Sequence, residues 1–234
     1  MTNHHKVVSN DEWIEARKQL LVKEKDFTRL RDELSAQRRN LPWEAVTKQY
    51  TFEGPQGKQS LAELFDGRSQ LVVYHFMFGP DWEAGCPHCS HWADNFNGVI
   101  VHLNHRDVSM VAISGAPYAK LAAYKKRMGW NFKWMSSFGS DFNFDYRVSF
   151  TPEEVASKKA LYNYATQEPG SSEREGVSVF YKDDEGRVFH TYSTYARGID
   201  ILSTDYNFLD LTPKGRDEGG RGPFWVRQHD EYDR

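Results

Sequence analysis

The chain has 234 residues, 39% hydrophobic and 27% charged, with a formal net charge of −3 and a pI near 6.3. That length supplies one sizeable core, and the composition is that of a soluble globular protein. The charge balance excludes a general attraction to nucleic acid or anionic membrane, no run approaches the ~20 apolar residues of a membrane span, and the polar start Met1–Asn10 has no apolar signal core, so a cytoplasmic location is expected.

Ser9-Asn10-Asp11-Glu12 has the form of a capping box and predicts a helix to about Arg39, ended by Asn40-Leu41-Pro42. Trp13, Leu20, Phe27 and Leu34 recur every seven residues, with Ala16 and Leu30 on the same stripe. Lys23 interrupts the stripe, so it is read first as a face packed on its own domain. A homodimer through it stays open. Tyr50-Thr51-Phe52 predicts a short strand, followed by a turn at Gly54-Pro55-Gln56-Gly57. Ser60-Leu61-Ala62-Glu63 is a second capping box, with Gly67 closing its short helix. Leu71–Phe78 reads as a buried strand, and Trp92, Phe96, Val99, Ile100 and Leu103 fall at helical spacing. Asp107–Ser114 is the next buried strand, Pro117–Met128 a helix stopped by Gly129, and Phe132–Ser136 a strand. This β-α-β-α-β order implies parallel pairing with helices on both faces of one sheet.

Residues 137–176 break that rhythm and read as an insertion. It holds a loop over 138–143 and a helix from Thr151-Pro152 to near Gln167. A hairpin follows, Val177–Tyr181 with Val188–Tyr192, and then a last helix carrying Ile199, Leu202, Tyr206 and Leu209. From Thr212 the chain is rich in glycine and charge and reads as an extended surface tail, with Phe224-Trp225 as its candidate anchor. The expected organisation is a helical extension over 1–45, an α/β domain over 46–211, and a tail over 212–234.

The only two cysteines stand in Gly85-Cys86-Pro87-His88-Cys89, between a predicted strand and a predicted helix. Pro87 suits the first helical position, which makes Cys86 the N-cap, facing unpaired amides and the positive end of the helix dipole. Both favour the reactive thiolate, and His88 adds positive charge beside it. Cys89 lies three residues before Trp92, on the apolar stripe. The pair is therefore expected to be asymmetric: exposed Cys86 attacks and buried Cys89 resolves. Two other readings stay open. One is a zinc or copper site completed by His75, His88, His91 or His190; a structural zinc usually takes four ligands, and no second cysteine pair exists. The other is a non-catalytic interaction module.

Among accessory candidates, His75 lies in the central strand, where a hydrogen-bonded core role is the default and a proton acceptor for Cys89 the alternative. Trp82 either walls the site or caps the sheet. His190 sits among tyrosines, as a satisfied histidine or as a metal or substrate contact. Asp81 and Glu83 read as solvated loop carboxylates.

Several strings carry a resemblance: Val73–Phe78, Gly85–Cys89, Phe142-Asn143-Phe144-Asp145-Tyr146, Gly176–Phe180, His190–Gly198 and Leu209-Asp210-Leu211-Thr212-Pro213. Together they resemble a bacterial family of unknown function, described as predicted dithiol–disulfide oxidoreductases. The resemblance implies a thioredoxin-like α/β fold in its peroxiredoxin-like elaboration, with a central mixed sheet flanked by helices and an N-terminal helical extension. Residue by residue it implies only Cys86 and Cys89 as redox cysteines. The expected partners are a protein or small-molecule thiol or disulfide substrate and a reductant the sequence does not identify, with no cofactor expected. Pro87-His88 is also the dipeptide of strongly oxidising periplasmic thiol oxidases; without an export signal, that role is not transferred. Two departures stand out. No proline precedes the hairpin strand, where Arg174-Glu175-Gly176-Val177-Ser178 stands, and this raises the metal alternative. Glu83 replaces the Thr or Ser that peroxiredoxins place three residues before their reactive cysteine, so direct peroxide reduction is not expected.

Overall fold

The computed structural model describes residues 5–232; the first four residues of the expected extension and the last two of the expected tail lie outside the described residues. The chain divides into two units, Met1–Pro42 and Trp43–Arg234. Among the described residues, no helix is long and apolar enough to cross a membrane.

Among the described residues, the first unit holds one helix, α1 (Asn10–Arg39). Its capping box forms as expected: the Glu12 amide donates to the Ser9 hydroxyl at 3.3 Å, and the Ser9 amide to the Glu12 carboxylate at 3.0 Å. Asp11 and Glu12 in the first turn, and Arg38 and Arg39 in the last, complement the helix dipole. The helix buries none of its residues. Trp13, Leu20, Phe27, Leu30 and Leu34 are all exposed.

The second unit is built on eight strands: β1 (Glu44–Ala45), β2 (Thr51–Gly54), β3 (Gly57–Ser60), β4 (Gln70–His75), β5 (Val108–Ser114), β6 (Lys133–Ser136), β9 (Gly176–Lys182) and β10 (Val188–Tyr195). They lie in the order β1-β10-β9-β4-β5-β6-β2-β3. Strands β4, β5 and β6 run parallel, and the β9–β10 hairpin lies antiparallel beside β4. That is the thioredoxin-like arrangement: a parallel β-α-β unit with an antiparallel hairpin completing the sheet. Period-two alternation sends successive β4 side chains to opposite faces. Val72 and Tyr74, with Phe76 just beyond the strand, pack in a cluster with Cys89, Phe96, Trp130 and Trp134. Leu71 and Val73 pack on the other face with Phe52, Leu64, Phe65 and Phe180. The two faces thus carry separate cores, and only one of them carries the cysteines.

Three segments depart from expectation. The helix after the cysteines is two short pieces, α2 (Pro87–Ala93) and α3 (Ile100–His105). Between them stand Asp94, Asn95, Asn97 and Gly98, poor helix formers whose side chains compete for hydrogen bonds. The Asn95 amide donates to the His91 carbonyl at 3.2 Å, and the Asn97 side chain accepts from the Asn131 amide at 3.0 Å. After α4 (Tyr118–Arg127), residues Phe142–Asp145 form the short helix α5 rather than a loop. The helix expected to reach Gln167 stops early. It is α6 (Pro152–Ser157), ended by Lys158 at φ 57°, and is followed by a small hairpin of β7 (Ala160–Tyr162) and β8 (Ala165–Gln167). Asn163 and Tyr164 turn that hairpin at φ 49° and 63°, the two left-handed positions that match strand twist. The last helix is likewise divided, into a 3₁₀ segment at Ala196–Leu202 and α7 (Thr204–Leu209).

Candidate active site

Cys86 is the N-cap of α2 and Pro87 its first residue, as the motif predicts. The loop is held from both sides. The Cys86 amide donates to the Met77 carbonyl at 3.0 Å, and the Ser90 amide returns to the Cys86 carbonyl at 2.9 Å. Gly85 is required by close approach: a Cβ there would lie 2.7 Å from Phe76 Cε1 and 3.0 Å from Tyr124 Cε1. Both cysteines are free thiols. Cys86 is half-buried, while Cys89 is fully buried, its sulfur accepting from the Met77 amide at 3.4 Å.

The electrostatics separate the pair. The Cys89 thiol donates to Cys86 and lowers it most; His88 and the Cys89 amide add to this against the opposing effect of burial, bringing Cys86 down from 9.0 to about 5. Cys89 moves the other way. Burial raises its thiol well above the ordinary range, and the Cys86 thiolate and the Glu175 carboxylate add to this. The Tyr74 hydroxyl is buried beside Cys89 and has no other hydrogen-bond partner among the described residues. His88 is raised, chiefly by Cys86, while its Nε2 is bonded to the Pro223 carbonyl at 3.1 Å. His88 thus links Cys86 to the C-terminal segment.

That segment is more than a loose tail. It crosses α2 and lies along the active-site face. Gln228 donates to the Gly85 carbonyl at 3.4 Å, His229 is bonded to Asp94 at 2.7 Å, and Arg127 holds Asp230 through two bonds of 2.9 and 2.8 Å. Trp225 donates to Glu218 at 3.0 Å, and Glu218 also accepts from Tyr206 at 2.6 Å. Phe224-Trp225 was the expected anchor; Trp225 serves, and Val226, buried beside it, is the deeper contact. Under this strap lies a cavity of about 530 Å³ reaching Cys86 and Cys89. Its wall includes Trp92, Arg174, Glu175, Tyr206, Glu218 and Pro223. None of these was selected from the sequence as a site residue. The aromatic pair within a charged tail was the one available signal for the strap. Glu175 stands in the stretch where a proline was missed and carries a carboxylate to the cysteines instead.

The remaining candidates are dispersed. Trp82 does not line the cavity; it packs on Gly79 in the preceding loop, where a Cβ would meet its Nε1 at 3.0 Å. His91 does line it, hydrogen-bonded to Asp205. His75 and His190 lie on the opposite face of the sheet from the cysteines. His75 is stacked on Tyr146 at 6.0 Å and packs near Phe142, and burial drives it down to about 3, so it stays neutral. A chain of hydrogen bonds joins the two: His75 Nε2 to Ser178 at 2.8 Å, Ser178 to Ser193 at 2.8 Å, Ser193 to His190 Nε2 at 2.7 Å, and His190 Nδ1 to Glu44 at 3.1 Å. Neither histidine can take a proton from Cys89 or complete a metal set with the cysteines. Among the described residues, no three His, Cys, Asp or Glu side chains are grouped to hold a metal ion.

Residues 2–232 match the family described as bacterial protein of unknown function (DUF899). The chain belongs to that family. No curated protein matches the chain. Among solved structures, this DUF899 member is similar to the peroxidoxin BcpB of Mycobacterium tuberculosis, at 13% identity and a TM-score of 0.47, over 70% of this chain and 94% of that one. It is also similar to a yeast mitochondrial 1-Cys peroxiredoxin, at 16% identity and a TM-score of 0.42, over 73% and 78%. The bacterioferritin comigratory protein of Xanthomonas campestris is similar at 13% identity and a TM-score of 0.42, over 69% and 95%.

Proposed function

We propose that this DUF899 protein is a thiol–disulfide oxidoreductase in which Cys86 attacks and Cys89 resolves. The observation that carries this reading is the asymmetry of the pair. Cys86 is a half-exposed N-cap thiol lowered to about 5, and Cys89 is a fully buried thiol raised well above its ordinary value. In the forward direction the Cys86 thiolate attacks one sulfur of a disulfide R–S–S–R′. A Cys86–S–S–R mixed disulfide forms, and R′S⁻ leaves and takes a proton. Cys89 then gives up its proton and attacks the Cys86 sulfur, forming the Cys86–Cys89 disulfide and expelling RS⁻. The substrate disulfide gains two electrons and the cysteine pair loses two. A separate dithiol reductant returns the pair to its starting state.

The test uses single-cysteine variants. Cys89→Ser incubated with glutathione disulfide should accumulate a mixed disulfide at Cys86, seen as one added glutathionyl mass. Cys86→Ser should accumulate none. The reading fails if Cys89 is the modified residue in Cys86→Ser at a comparable rate, or if the native pair forms no reversible intramolecular disulfide.

A further inference from the structure

The exposed stripe of α1 is not absorbed by the redox site, and its flanking charges are ordered. With Trp13, Leu20, Phe27 and Leu34 in the a positions of a heptad, the d positions are Ala16, Lys23, Leu30 and Gln37. The g positions, which flank the stripe on one side, are Glu12, Gln19, Asp26 and Glu33. The e positions, on the other side, are Arg17, Glu24, Arg31 and Arg38. One edge is acidic, and the other is basic except at Glu24.

We infer that α1 is one strand of a parallel two-stranded coiled coil whose other strand is α1 of a second copy of this chain. In a parallel, in-register pair each g residue faces the e residue five places on in the partner. Glu12 then faces Arg17, Asp26 faces Arg31 and Glu33 faces Arg38, each pairing occurring twice by symmetry. Gln19 faces Glu24 and brings no like charge against it. An antiparallel pair sets g against g, and its acidic edges would repel. The exception at Glu24 falls beside Lys23, the one charged core position. A d side chain packs into a hole that includes the partner's adjacent e residue, so Lys23 meets Glu24 of the second copy. The pattern departs from basic at e only where a core lysine needs a carboxylate. Arg17 Nη2 donates to Glu24 of its own helix at 2.7 Å, and its Nη1 is shielded from solvent without a hydrogen-bond partner among the described residues. The four heptads span about 45 Å of helix, and their a-position side chains are all exposed.

The test uses the full chain. Sedimentation or light scattering at tens of micromolar should give twice the 27.2 kDa chain mass. The double variant Leu20→Glu, Phe27→Glu should weaken association by about 100-fold or more. Charge reversal gives an independent handle: Glu12→Arg, Asp26→Arg, Glu33→Arg should be monomeric alone and re-form a dimer when mixed with Arg17→Glu, Arg31→Glu, Arg38→Glu. Leu20→Cys in a Cys86→Ser, Cys89→Ser background should cross-link between chains on oxidation, since a parallel pair sets residue 20 against itself. A monomeric native chain, a trimer or larger, a dimer indifferent to the Leu20 and Phe27 changes, or failure to cross-link would each overturn the inference.

Discussion

The activation of Cys86 makes a quantitative claim about pH. With its thiol at about 5 rather than 9.0, roughly 99% is thiolate at pH 7, against roughly 1% for an unperturbed thiol. That ~100-fold gain is largely cancelled, because nucleophilicity falls with basicity at a Brønsted slope of about 0.4–0.5, or roughly 40–100-fold over this range. The activation therefore shows little in a rate measured at pH 7. At pH 5.5 the thiolate advantage is roughly 2,000-fold, leaving a net gain of roughly 20–60-fold. The assay is iodoacetamide alkylation between pH 4 and 9, with the peptide containing residue 86 quantified by mass spectrometry in a Cys89→Ala background and in native protein. Cys86 in the native chain should reach a plateau by about pH 6–7. His88→Ala should move the midpoint upward, because it removes the imidazolium beside the sulfur. Cys89→Ala should move it upward further, because it removes the donor that is the largest lowering influence. A rate that climbs tenfold per pH unit through pH 8, or a midpoint unmoved by either change, would refute the electrostatic account.

Two other predictions concern stability. Burial raises Glu173 from 4.5 to about 7, against the opposing hydrogen bond from Ser149. The folded state therefore favours its protonated form; that contribution is present in full below about pH 4.5 and is lost as pH rises through about 7, on the order of 3 kcal/mol in all. Glu173→Gln should raise Tm at pH 8 and change it little at pH 5, and equal shifts at both values would count against this. Gly85→Ala should destabilise by about 1–3 kcal/mol through its clash with Phe76 and Tyr124, read by urea denaturation, and a neutral result would show that the loop shifts freely.

Much of the fold could be read locally because its signals are local. Ser9 and Glu12 sit at capping-box spacing, the 71–78 run is apolar apart from His75, and Pro87 marks a helix start. What escaped depended on partners distant in the chain. The alternation of β4 puts His75 on the face opposite Tyr74, but which face the cysteine helix covers follows only from the order of strands in the sheet. Residues 190 and 193 of one strand would ordinarily point to opposite faces, yet the His190–Ser193 bond forms because the pairing slips between His190 and Tyr192. Lys158 and Tyr164 take left-handed backbone conformations that neither residue type advertises. The strap over Cys86 is built from single contacts scattered across 135 to 143 residues of separation, as with His88 and Pro223 or Gly85 and Gln228.

The hydrogen-bond chain from His75 to Glu44 has a consequence apart from chemistry. It ties β4, β9, β10 and β1 together through side-chain hydrogen bonds. An apolar interface between strands tolerates sliding, because one valine replaces another at small cost. Here a displacement of β10 by one residue would turn Ser193 away from Ser178 and break the one side-chain bond of the chain that joins β9 to β10, leaving buried hydroxyls short of a partner at about 1–3 kcal/mol. The polar line inside an aromatic core therefore selects one strand alignment over its neighbours, and it works as a guard against mispairing during folding.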